Sequence, residues 1–152
     1  MKDQGTFCLS NGGERIPIFI VVVHDVLRAV VRTLVEKSAN LIFCGEACSV
    51  EEALEKIGSS LLKPEVVLVD IFSPFKDVNL VSSLKERYPD IQILAISGYD
   101  EPNIALGALA AGAEGYLLKE ELIRLDEVIA EVLKNCGFIS EMVQERVNED
   151  IP

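Results

Sequence analysis

The chain has 152 residues, about half of them apolar, which suits one domain with a sizeable core. Its formal net charge is −11, and a strongly acidic surface repels phosphate backbones and anionic lipids, so nucleic acid and membranes are poor partners for this segment. From Glu120 onward nine acids face three bases, which places −6 of that charge at the C-terminal end. No run of apolar residues is long enough to span a membrane, and Met1–Arg15 lacks the layout of a signal peptide, so a cytoplasmic location is expected. The four cysteines show no CxxC spacing and there is one histidine, so they read as small buried hydrophobes in a reducing compartment rather than as a zinc site.

In chain order, 1–15 reads as a polar, flexible leader, 16–136 as one domain, and 137–152 as a linker helix or tail. Within the domain, short Val- and Ile-rich runs alternate with amphipathic stretches. The runs Ile18–Val23, Leu41–Cys44, Val66–Asp70, Ile91–Ile96 and Gly115–Leu118 show no polar alternation, as expected of strands covered on both faces of a parallel sheet. The first helix carries Val26, Leu27, Val30, Val31, Leu34 and Val35 at helical spacing. Ser49-Val50-Glu51-Glu52 is a capping box that opens the second, and Leu80, Val81 and Leu84 mark the third. Asp100 ahead of Pro102 caps a fourth, which ends near Gly112 in a left-handed C′ position. Leu125, Val128, Ile129, Val132, Leu133 and Cys136 stripe the fifth. Five strands alternating with five helices predict a doubly wound α/β sandwich, whose functional groups lie at the carboxyl ends of the strands.

Three polar residues stand at those ends: Asp70 after the third strand, Ser97 after the fourth and Lys119 after the fifth. Taken singly, each is an ordinary cap or a solvated group. Taken together, an acid, a hydroxyl and an ammonium at one sheet edge can hold a phosphoryl group, the carboxylate as nucleophile and the others steadying the transferred oxygens.

These residues resemble the receiver domain of two-component response regulators. Val69-Asp70 with Ser73-Pro74 beyond it resembles the phosphoacceptor strand and the proline that follows. Ile96-Ser97 resembles the switch Thr/Ser position, and Gly115-Tyr116-Leu117-Leu118-Lys119 resembles the fifth-strand signature, with its lysine and its aromatic switch residue Tyr116. The resemblance runs from about Ile16 to Cys136. It implies a flavodoxin-like (CheY-like) five-stranded sheet of order 2-1-3-4-5. Phe72 and Tyr99 occupy positions that flank the site. Cys136-Gly137-Phe138-Ile139-Ser140 is similar to the join to the output domain in regulators of the NarL/FixJ (LuxR-type) group.

One departure matters. The family's first strand ends in two acids that bind Mg²⁺ together with the phosphoacceptor, and here those positions hold Val22 and Val23. Asp25 and His24 lie just beyond, and a shifted register could bring in Asp25 beside Asp70. The expectation is therefore a receiver with a degenerate metal pocket, without a cofactor unless that pocket still binds Mg²⁺, and with Lys119 free to pair with Asp70. The resemblance implies a sensor histidine kinase or other signalling protein as partner, a transcriptional output domain, and a homodimer through the face of the fourth helix, fifth strand and fifth helix. A conventionally phosphorylated receiver and a flavodoxin-like small-ligand binder are the alternatives. The second needs a glycine-rich phosphate loop, which His24-Asp25-Val26-Leu27-Arg28 does not supply. An enzyme turning over a substrate is not expected: Ser97 has no histidine partner within reach in the sequence and no Gly-x-Ser-x-Gly around it.

Overall fold

The computed structural model describes residues 15–71, 74–135 and 137–150, apart from the side chains of 74–76, 147 and 150. Six strands form one parallel sheet of order β2-β1-β3-β4-β5-β6: β1 Ile16–Val21, β2 Leu41–Ala47, β3 Val66–Ile71, β4 Gln92–Ser97, β5 Gly115–Leu118 and β6 Phe138–Ile139. The expected order of the first five holds, but the expected count of five is one short. Phe138 and Ile139 pair with Gly115 and Tyr116 and extend the sheet beyond β5. A two-residue strand is too short to carry a periodic signal, and only its pairing reveals it.

The helices are α1 Asp25–Lys37, α2 Val50–Ser59, α3 Pro74–Arg87, α4 Pro102–Ala110, α5 Leu125–Leu133 and α6 Glu141–Asp150, with a 3-10 helix over Lys119–Arg124 ahead of α5. Strand side chains alternate between two layers, as the two-residue period of a strand requires. Phe19, Val21, Val67, Val69, Ile93, Ala95, Tyr116 and Leu118 pack with α2, α3 and α4, and Val143 of α6 joins that cluster. Ile18, Ile20, Leu68, Leu94, Ile96 and Leu117 pack with α1 and α5. Every residue of β3 is buried, which explains its unbroken apolar run. Burying a Val or Ile fully is worth about 1.5–3 kcal/mol, so these two layers supply the main drive to fold.

Local signals mostly act as read. Ser49 Oγ accepts from the Glu52 N–H at 3.1 Å, and Glu52 reaches back to accept from the Cys48 N–H at 2.8 Å. Beside Lys56, with the Cys48 N–H as a second support, the Glu52 carboxyl is lowered to about 2. Gly112 follows α4 with φ 121°. Three details differ. β1 begins two residues earlier than expected and stops at Val21, because the apolar run carries on past the last paired residue into Val22 and Val23. β2 continues through Gly45 by a register shift against Ile18 and Phe19. Asp100 does not cap α4; Glu101 is the N-cap residue, and Asp100 accepts from Arg146 at 3.0 Å instead.

Candidate functional site

β3 and β4 run in parallel register with Asp70 beside Ile96 and Ile71 beside Ser97, so an acid and a hydroxyl end adjacent strands at the same edge. β5 ends at Leu118, and the next residue, Lys119, turns its side chain toward β3. Its Nζ lies 3.1 Å from Asp70 Oδ1. The contact is an ion pair without the alignment of a hydrogen bond, and among the described residues neither Asp70 oxygen has a hydrogen-bond partner. Burial pushes the Asp70 carboxyl up, Lys119 opposes that shift, and the negative charge of Asp77 adds to it. Of the residues expected at the strand ends, Asp70, Ser97 and Lys119 are thus brought to one place.

Ser97 and Tyr116 are both fully buried. Ser97 Oγ accepts from the Tyr99 N–H at 2.9 Å and lies 3.5 Å from the Ile71 carbonyl. The Tyr116 hydroxyl donates to the Tyr99 carbonyl at 2.7 Å. Tyr99, itself half-buried, therefore links Ser97 and Tyr116 through its backbone. Burial raises the Tyr116 phenol above its ordinary value. Pro74 opens α3. Phe72, the other expected flanking aromatic, lies outside the described residues.

Val22 and Val23 part company after β1. Val22 is buried and packs in the layer with α1 and α5. Val23 is half exposed and lines a cleft of about 400 Å³ together with Asp70, Asp77, Glu51, Val50 and Leu80. Arg28 fixes this loop: its Nη1 donates to the carbonyls of Val22 at 2.9 Å and Val23 at 3.2 Å, and its Nη2 to Asp25 at 2.7 Å. Asp25 itself is almost fully exposed and does not line the cleft.

Among the described residues, the segment after β1 brings no carboxylate into the cleft. The position that opens on the cleft is a hydrocarbon, and the Asp70 carboxylate already has an ammonium at ion-pair distance. No group of three or more His, Cys, Asp or Glu among the described residues is placed to hold a metal ion.

Sequence reasoning missed three contributors. Asp77, one turn into α3, reaches the cleft from a helix, whereas only strand ends were read as site positions. Glu51 was read only as part of a cap. Arg28 was read only as part of a segment that lacks a glycine-rich phosphate loop. Cys48, expected to be buried, is exposed on the cleft rim, and its thiol donates to Glu52 at 3.3 Å, which pushes it above the ordinary thiol value.

A family model described as response regulator receiver domain matches residues 18–132. DevR/DosR, a DNA-binding transcriptional activator of Mycobacterium tuberculosis, is 31% identical over 106 residues, covering 69% of this chain and 48% of its own. The transcriptional regulatory protein DegU of Brevibacillus brevis is 30% identical over 123 residues, covering 78% and 51%. The chain thus spans about half the length of these relatives. A LuxR-family two-component response regulator from Aurantimonas superposes with a TM-score of 0.81 at 23% identity, over 91% of this chain and 100% of that one. The isolated REC domain of RcsB from Salmonella enterica serovar Typhimurium superposes at 0.78 and 20% identity, over 88% and 99%. At such identities the superpositions speak for the fold alone. No helix among the described residues is long and apolar enough to cross a membrane.

Proposed function

The chain belongs to the response regulator receiver domain family, and from that premise we propose that it is a signalling receiver whose phosphoacceptor position, Asp70, works without the family's Mg²⁺-dependent phosphorylation. One observation carries this reading: Val23, not an acid, borders the cleft that holds Asp70, while Lys119 stands 3.1 Å from the Asp70 carboxylate. An incoming phosphoryl group would meet Asp70, Asp77 and Glu51 around the cleft, with Lys119 at ion-pair distance from Asp70 to offset them. Repulsion of that kind opposes transfer unless a metal compensates it, and among the described residues the segment after β1 brings no carboxylate into the cleft to hold one. Asp70 and Lys119 instead form a resting ion pair. The domain then changes state when a partner or a change in the Ser97–Tyr116 contacts alters that pair, a population shift rather than a turnover reaction.

In the full-length protein, on this reading, the domain controls a transcriptional output domain. The relatives it matches are named as transcription regulators and are about twice as long as the part they share with it. Residues 137–152 lead toward that output domain, and DNA contact belongs to it rather than to this acidic segment. The upstream partner is a sensor histidine kinase or another signalling protein, and the setting is the cytoplasm. A homodimer through α4, β5 and α5 has to accommodate β6 and α6, which lie against β5 and α4.

A conventionally phosphorylated receiver is the second reading, favoured by the convergence of Asp70, Ser97 and Lys119. Incubation with a small acyl phosphate and Mg²⁺, followed by intact mass measurement, decides between them. The expected result is an unmodified chain. A stoichiometric gain of about 80 Da, one phosphoryl group, that is lost in Asp70→Asn would overturn the first reading in favour of the second.

A further inference from the structure

After α5 the chain turns back onto the sheet. Asn135 and Gly137 take positive φ, 62° and 70°, and reverse its direction. β6 then lies along β5. Ser140, fully buried, ties the reversal down: its N–H donates to the Tyr116 carbonyl at 3.0 Å, and its Oγ accepts from the Leu118 N–H at 2.9 Å and donates to Glu121 Oε1 at 3.1 Å. From there α6 crosses α4 and inserts Val143, fully buried, into the layer that holds Tyr116, Ala105 and Ala108. Arg146 reaches Asp100 at 3.0 Å.

The fastenings made by Ser140 and Arg146 land on two segments. Residues 97–100 carry Ser97, Tyr99 and Asp100; residues 116–121 carry Tyr116, Leu118, Lys119 and Glu121. The Tyr116–Tyr99 hydrogen bond joins the two segments to each other. The first begins at Ser97, which pairs in register with Ile71, the residue after Asp70, and the second contains the ion-pair partner of Asp70. The hold itself is slight. Among the described residues it consists of a two-residue strand whose Phe138 and Ile139 are partly buried against the two layers, Arg124 over the Phe138 ring at 5.5 Å, one buried serine, the fully buried Val143 of α6, and an ion pair whose members are 48% and 34% exposed. A unit held by so few contacts opens at a lower free energy than the sheet beneath it.

We propose that β6–α6 is a releasable latch whose docked position reads the arrangement of 97–100 and 116–121, and so passes the state of the Asp70 site to the C-terminal side of the domain. Docked, it covers the β5 edge and α4; released, it bares them to a partner. Coupling of this kind is reciprocal, so freeing the latch also shifts the Asp70 site. The proposal rests on reading Asp70, Ser97 and Lys119 as the receiver's working site, but not on whether Asp70 takes a phosphoryl group.

Hydrogen exchange followed by mass spectrometry on the full chain, without a phosphodonor, tests it. Amides of 138–150 are expected to exchange faster than those of β1 and β3. Arg146→Asp is expected to speed 138–150 by about tenfold, the scale of ordinary allosteric coupling, with β1 and β3 unchanged. The charge-swapped pair Asp100→Arg with Arg146→Asp is expected to restore protection. Lys119→Met and Ser97→Ala, made in the site rather than in the latch, are expected to shift exchange at 138–150 as well; protection in β1 and β3 reports whether each variant folds. Exchange of 138–150 in step with β1 would overturn the latch. Folded Lys119→Met and Ser97→Ala chains with 138–150 unmoved would overturn the coupling. A mass gain on Asp70 with acyl phosphate would refute the preceding section's reading and leave these results standing.

Discussion

Lys119 and Asp70 form an unequal pair: the ammonium is 30% exposed and the carboxylate side chain 1%, with 3.1 Å between them. The desolvation cost therefore falls almost wholly on the acid, and Lys119 only part-offsets it. A site of this kind holds an acid whose charge the fold tolerates rather than favours.

That has a pH signature. The folded Asp70 carboxyl is raised, so the folded state binds this proton more tightly than the unfolded chain does. Its contribution to stability is complete below the unfolded value of about 3.9 and is lost as pH rises from there through the raised folded value. Asp70→Asn removes the charge and keeps the shape. It is expected to raise stability at neutral pH on the order of 1 kcal/mol, a gain that shrinks in acid. Urea midpoints of the two proteins at neutral and acidic pH check this; an unchanged or lowered neutral midpoint would count against the burial argument.

Tyr116 gives the alkaline counterpart. Its buried phenol is raised, so its contribution is present below the ordinary tyrosine value of about 10 and declines as pH climbs through the folded one. The phenolate absorbance titration of the wild type should show a late component, coincident with loss of structure, that is missing in Tyr116→Phe. That variant also gives up the hydrogen bond to Tyr99, at a cost of about 1 kcal/mol at neutral pH.

The two valines after β1 should behave differently when made acidic. Val23 is 53% exposed on the cleft rim, so Val23→Asp should cost less than about 1 kcal/mol and introduce Mg²⁺ binding detectable by calorimetry. Val22 is 1% exposed inside a hydrophobic layer, so Val22→Asp buries a carboxylate and should cost roughly 3 kcal/mol or more. Equal destabilisation by both, or no Mg²⁺ heat from Val23→Asp, would contradict this placement.

Gly45 is required by its neighbour. A Cβ there would sit 2.7 Å from Phe19 Cε2, and Phe19 is buried and cannot swing aside. Gly45→Ala should cost about 1–3 kcal/mol in thermal denaturation, partly recovered when Phe19→Leu is added. Simple additivity of the two changes would argue against a clash.

Most of the layout was legible because it is written in long patterns. β5 runs over Gly115–Leu118 as read, since glycine opens it and a lysine closes it. Asp70, Ser97 and Lys119 were legible because strand ends in such a sheet converge by topology. What escaped depends on contacts between distant segments. Asp77 reaches the cleft from a helix, Arg28 acts through carbonyls on a neighbouring loop, and Asp100 is drawn off its capping role by an arginine 46 residues away. β2 was cut short at Gly45 because a glycine inside a strand reads as its end, when here it marks a bulge.

A parallel sheet has two borders at which strands from other molecules can add. At β2 the register shift near Gly45 and the charge of Glu46 interrupt the ladder. At β5 the border is Gly115-Tyr116-Leu117-Leu118, short, uncharged and apolar, and what closes it is β6 with Ser140. Those few residues are thus a guard on solubility as well as a part of the fold. A chain shortened to end before Phe138 should associate into β-rich aggregates under conditions in which the full chain stays dispersed.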